Sequence, residues 1–151
     1  MAITKLIADS LGTGVGGKVL QVVTATDGTG LSSSSTSYID TGLSASITPS
    51  STSNKVLVIV TTGVHGVDTA TTTGMKLKLV RGSTDLIEQS SWGSHPTITY
   101  IYGQGHCFNY LDSPSSTSST TYKLQYKSND GTNHVLENAS TAVMTLLEVS
   151  A

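Results

Sequence analysis

From Lys18 onward the chain repeats one pattern: short runs rich in β-branched and aliphatic residues recur about every 10 to 15 residues, divided by clusters of Gly, Ser, Asp or Pro. No long helical period interrupts them, and this spacing is the cadence of an all-β sandwich or barrel. The predicted strands are Lys18–Ala25, Ser37–Thr48, Lys55–Val64, Met75–Arg81, Thr84–Gln89, Thr97–Tyr110, Thr121–Ser128, His134–Asn138 and Ala142–Val149. About eight or nine strands of this kind predict an antiparallel β-sandwich of jelly-roll-like construction.

Periodicity also predicts which faces are dry. Tyr122, Leu124 and Tyr126 alternate with Lys123, Gln125 and Lys127, and Met75, Leu77 and Leu79 alternate with Lys76 and Lys78. Successive side chains on a strand point to opposite faces, so each of these strands has one buried and one wet side. Val56 to Val60 is instead unbroken in its apolar character, as expected of a strand covered on both faces. It is a candidate for the centre of the core or for a subunit interface, as is the Tyr122 to Tyr126 face for an interface. Asp27-Gly28, Arg81-Gly82 and Asp130-Gly131 supply turn residues that tolerate positive φ between the runs.

Composition narrows the function. Only 12% of residues are charged, while Ser and Thr together approach a third of the chain, so hydroxyls carry most of the polarity. A hydrophobic fraction of 36% with a formal charge of −2 lies outside the disordered regime. One arginine, Arg81, and scattered lysines do not make the basic stripe that phosphate neutralisation requires, so nucleic acid is not an expected partner. There is no apolar run long enough for a membrane span and no compact signal core in Met1 to Gly17, which predicts a soluble protein made in the cytoplasm. Cys107 is the single cysteine, so stability must come from packing or oligomerisation.

The first 17 residues read as an arm and hinge ahead of a sandwich domain at 18–151. Ile3, Leu6 and Ile7 have helix-like spacing but run into the glycine-rich stretch Gly12 to Gly17. Gly12, Gly14 and Gly17 match a dinucleotide-loop spacing, yet they precede a strand instead of following one, so they read as a hinge. His65, His95, His106 and His134 are scattered without metal-ligand spacing, no Gly-x-Ser-x-Gly elbow is present and no acid/base carboxylate pair stands out. Neither a cofactor, a metal nor a catalytic residue is therefore expected. Trp92, His95, Tyr100, Tyr102 and nearby Tyr110 are the one local aromatic concentration; they fit sheet packing, or contacts to a glycan.

Several phrases resemble the short β-rich virion proteins of tailed bacteriophages, especially cyanophage-like ones. They are Gly16-Gly17-Lys18-Val19-Leu20-Gln21-Val22, Ser37-Tyr38-Ile39-Asp40-Thr41-Gly42-Leu43, Ile47-Thr48-Pro49-Ser50, Asn54-Lys55-Val56-Leu57-Val58, Lys78-Leu79-Val80-Arg81-Gly82-Ser83 and Tyr110-Leu111-Asp112-Ser113-Pro114. The resemblance runs from about Gly16 to the C-terminus and carries framework phrases, not active-site motifs. It implies a jelly-roll module that forms a homotrimer, sited on the capsid exterior as a decoration or cement protein or, alternatively, in a tail fibre. The implied partners are further copies of the chain and the phage major capsid protein, or else tail-fibre proteins. Ile3, Leu6 and Ile7 would dock the arm on the shell. In the fibre alternative Trp92, His95, Tyr100 and Tyr102 would contact host glycan.

Overall fold

The computed structural model describes residues 18–62, 65–67, 72–94, 105–129, 134–136 and 141–151. Among them eleven strands form: β1 (Val19–Asp27), β2 (Leu31–Ser33), β3 (Ile39–Ile47), β4 (Lys55–Thr61), β5 (His65–Val67), β6 (Thr72–Arg81), β7 (Thr84–Ser94), β8 (Cys107–Asp112), β9 (Thr120–Ser128), β10 (His134–Leu136) and β11 (Ala142–Val149). Eight are long and make two four-stranded antiparallel sheets, ordered β1-β11-β4-β8 and β3-β9-β6-β7. Counted in chain order, the first long strand pairs with the last, the second with the seventh, the third with the sixth and the fourth with the fifth. That is a single antiparallel ribbon, bent at the β6–β7 hairpin and wrapped so that alternate pairs join alternate sheets. The wrapped ribbon is a jelly roll, the expected architecture.

The three short strands have a separate role. Each lies in a connection that carries the chain between the sheets, β1 to β3, β4 to β6 and β9 to β11, and they pair as β2-β10-β5. This ribbon ties three crossovers together at one end of the sandwich. Neither β2 nor β5 stands out in sequence, because Leu31-Ser32-Ser33 and His65-Gly66-Val67 carry no alternation to read.

Burial follows strand parity. Tyr122, Leu124 and Tyr126 are buried, as are Met75, Leu77 and Leu79, while the intervening residues are not. They meet Val56, Val58, Val60, Met144, Leu146 and Phe108 from the first sheet and Leu43, Ala45 and Ile47 from their own. The Tyr122 to Tyr126 face is therefore core and not a subunit interface, since these side chains fill the space between the sheets. Full burial of side chains this size stabilises the sandwich by roughly 1.5 to 3 kcal/mol each.

Two expectations about strand ends are corrected. The strand at the end of the Thr97–Tyr110 run is Cys107–Asp112, with Gly105 and His106 outside its ladder; residues 95–104 are outside the described set. The strand starting at Thr84 runs on to Ser94, since β6 extends back to Thr72 and offers ladder partners to serines and a glycine that are weak strand formers alone. Pro49 and Pro114 do fall in loops.

Turn chemistry separates in the same way. Gly82 sits at φ +56° in the two-residue link between β6 and β7, where a side chain would be strained. Asp27-Gly28 closes no hairpin: β1 pairs with β11 and β2 with β10, and the Asp27 carboxylate instead accepts from the Thr29 amide at 2.8 Å. The Asp130-Gly131 turn lies outside the described residues. A further glycine, Gly42, occupies a bulge in β3 at φ +97°, where a Cβ would stand 2.5 Å from Asp27 Oδ2.

Candidate functional site

Ile3, Leu6 and Ile7 lie outside the described residues, as do His95, Tyr100 and Tyr102. Trp92 belongs to β7, the edge strand of the second sheet, with its backbone opposite Gly74. Tyr110 is half-buried against the core, so packing occupies it. Among the described residues no group of three or more His, Cys, Asp or Glu side chains gathers as a metal site would.

What the fold does assemble is a pair of outer faces with opposite chemistry. On the second sheet, Lys76 and Lys78 of β6 and Lys123, Gln125 and Lys127 of β9 face outward beside carboxylates from β3 and β7. Lys78 Nζ lies 3.1 Å from Asp85, Lys123 Nζ 3.1 Å from Asp40, and Gln125 Nε2 donates to Asp40 at 2.7 Å. Glu88 accepts from both Lys76 and the Tyr38 hydroxyl. The Tyr38 ring carries Lys78 Nζ 3.9 Å from its centroid and Lys127 Nζ at 5.0 Å. Hydrogen bonds from Gln125 and Lys123 hold the Asp40 carboxyl below its usual range, and those from Lys76 and Tyr38 do the same for Glu88. Burial, reinforced by Glu88, pushes the Tyr38 phenol up. Lysines and carboxylates thus answer one another across this face.

The first sheet is the opposite. Directly paired residues share a face, so its outer surface can be read in rows across all four strands. One row is Val22, Leu147, Leu57 and Leu111; the next is Thr24, Thr145, Ile59 and Asn109; the third is Thr26, Val143, Thr61 and Cys107. None of these residues is charged, and Lys55 stands only at the rim. Val22 is 56% exposed and Leu111 50%, at the two ends of the first row, with Val19 and Leu20 exposed beside it. The apolar run Val56 to Val60 is now explained: Val56, Val58 and Val60 enter the core, whereas Leu57 and Ile59 belong to this outer face.

Two buried carboxylates, not anticipated as sites, brace the end of the sandwich where Lys18 meets Ser150. Glu148, Val56 and Asp112 stand in line across β11, β4 and β8, all pointing inward. Glu148 Oε1 accepts from the Ser50 amide and hydroxyl, both at 2.7 Å, and from Asn54 Nδ2 at 2.6 Å, while Oε2 accepts from Gln21 at 2.8 Å. Burial alone would raise its pKa, but these donors outweigh it and hold the carboxyl down at about 2. Asp112 takes Arg81 Nη1 at 2.9 and 2.7 Å on its two oxygens and the Tyr122 hydroxyl at 2.7 Å, joining β8 of one sheet to β6 and β9 of the other. Burial and that bond to Asp112 push the Tyr122 phenol up. Both carboxylates are engaged by protein donors, so they act as structural anchors. The signal for them was parity: each occupies an inward position in an alternating apolar strand.

No protein-family model matches the chain, and no curated protein matches it. Among solved structures it is similar to the infectious bursal disease virus VP2 subviral particle, at 16% identity and a TM-score of 0.43, covering 87% of this chain and 37% of that one. It is likewise similar to T=1 particles derived from infectious bursal virus, at 16% identity and 0.43 over 87% and 36% of the two chains. The infectious bursal disease virus Gx strain gives 16% identity and 0.41 over 87% and 37%. The chain spans little more than a third of the length of these chains.

Proposed function

We propose that this chain is a virion structural protein of a tailed bacteriophage that works by assembly and not by catalysis, as a homotrimeric decoration module on the capsid exterior. The observation that carries the reading is the one-sidedness of the sandwich. A domain that lived alone in water would gain by charging both outer faces, whereas here one is charge-matched and the other carries an aliphatic row among uncharged neighbours. The framework phrases that resemble those of phage virion proteins point the same way.

The arm fits this role. Lys18 and Ser150 exchange hydrogen bonds at 2.9 Å, so the chain enters the sandwich at the edge of the first sheet, beside the apolar face. Ile3, Leu6 and Ile7 then anchor the module to the major capsid protein, and the trimer reinforces the shell. Copy number per virion tests the proposal, by quantitative mass spectrometry of purified particles. Hundreds of copies, with lowered heat resistance after stripping, are expected; a few tens or fewer assign the chain to the tail fibre instead, and absence from virions refutes the role.

A further inference from the structure

We infer that the outer face of the first sheet is the surface through which copies of this chain meet, with the row Val22, Leu147, Leu57 and Leu111 at its centre. The inference rests on the reading of the chain as an assembly module and assigns its contact.

Three observations commit the face to a second copy of the same chain. First, its three rows bear no charge across β1, β11, β4 and β8, with Lys55 at the rim, so copies can bury those rows against one another without setting like charges together. Covering the other sheet would bury Lys76, Lys78 and Lys123 together with their carboxylates, at a cost in desolvation. A charged partner would find no counter-charge in these three rows, and burying its charges there would be costly.

Second, the face is broad enough for the core of a contact. Four strands about 4.8 Å apart and about seven residues long span about 450 Å² in projection. That is somewhat more than half of the roughly 800 Å² each partner contributes to a standard interface. Side-chain relief, the exposed rim residues Val19 and Leu20, and the half-buried Val149 add to it.

Third, the rows are complementary to one another. The aliphatic row is flanked by Thr24, Thr145, Ile59 and Asn109, where the two threonine hydroxyls and the Asn109 amide can hydrogen-bond at a contact without introducing charge. The apolar row runs from one edge strand to the other, so a neighbour can be seated on either side of a symmetry axis.

Cys107 supplies a built-in reporter. It is exposed in the isolated chain and lies in the third row of this face, opposite Thr61. Covering the face hides the thiol without any change within the chain.

The test uses the full-length protein. Sedimentation equilibrium should give a multiple of 15.6 kDa, three-fold for the trimer. A colourless aromatic disulfide reagent should label Cys107 at least ten-fold more slowly than in Val22→Glu or Leu111→Glu. Both substitutions fall at half-exposed positions that a monomer tolerates, so they should yield monomers with an unchanged circular dichroism spectrum. Lys76→Gln on the opposite face should leave mass and labelling as they were. A wild-type mass of one chain, or charged variants that stay assembled, overturns the inference. Should those variants fail to fold, the wild-type thiol decides: labelling as fast as in urea overturns it, and ten-fold protection in an oligomer upholds it. These outcomes concern the purified protein, so they stand apart from its presence or absence in virions.

Discussion

Replacing Glu148 by Gln exchanges a buried carboxylate for an amide of nearly the same shape, in a site lined entirely by donors. Ser50 and Asn54 can still find the remaining carbonyl oxygen, but the new NH2 group confronts Gln21 Nε2, or one of the other donors, across a hydrogen-bonding distance. The cost can be worked from the titration of the group itself. Its pKa falls from 4.5 to about 2 on folding, and each unit corresponds to about 1.4 kcal/mol, so ionised Glu148 contributes about 3 kcal/mol. Because the folded pKa is the lower one, this stability is fully present above about pH 4.5. It is lost as pH falls, since the unfolded chain takes up the proton first. Urea unfolding at fixed protein concentration should place Glu148→Gln about 3 kcal/mol below wild type at pH 7. The gap should close to about 1 kcal/mol at pH 3 and nearly vanish by pH 2. Taking the difference between the two proteins removes the other carboxylates, which titrate in both. A variant as stable as wild type at pH 7, or a gap that ignores acid, would refute the assignment of Glu148 as an ionised anchor.

Two other substitutions probe the frame around it. Asp112→Asn removes the charge that Arg81 meets between the sheets, and should lower stability by about 3 kcal/mol in denaturant titration, because Arg81 is then left half-buried without its counter-ion. Gly42→Ala forces a Cβ to within 2.5 Å of Asp27 Oδ2 at a φ of +97°; a loss of about 2 kcal/mol or more is expected, read as a lowered Tm, and an unchanged Tm would show that β3 carries no bulge in solution.

Much of the fold was legible because its signals are local. Strand parity at Tyr122, Leu124 and Tyr126 needs only the two-residue period of an extended backbone, and Gly82 needs only its own turn. The same parity marks Glu148 and Asp112 as inward, although nothing local identifies the groups that satisfy them. Gln21 and Glu148 are 127 residues apart, and Arg81 and Asp112 belong to different sheets. The short strands β2 and β5 escaped notice for the related reason that they exist only through their pairing with β10.

The assembly surface shows the same division. By itself the sequence determined that Leu57 and Ile59 point away from Val56, Val58 and Val60, because neighbouring residues on a strand cannot share a face. It also determined that no charge interrupts that run. Only the tertiary structure decided that Leu57 lies between Leu147 and Leu111, with Val22 beyond, since those rows arise when the ribbon wraps and strands from both chain ends and the middle come into register. Periodicity is a property of the backbone step, whereas register is set by long-range closure, and the uncharged face exists only after that closure.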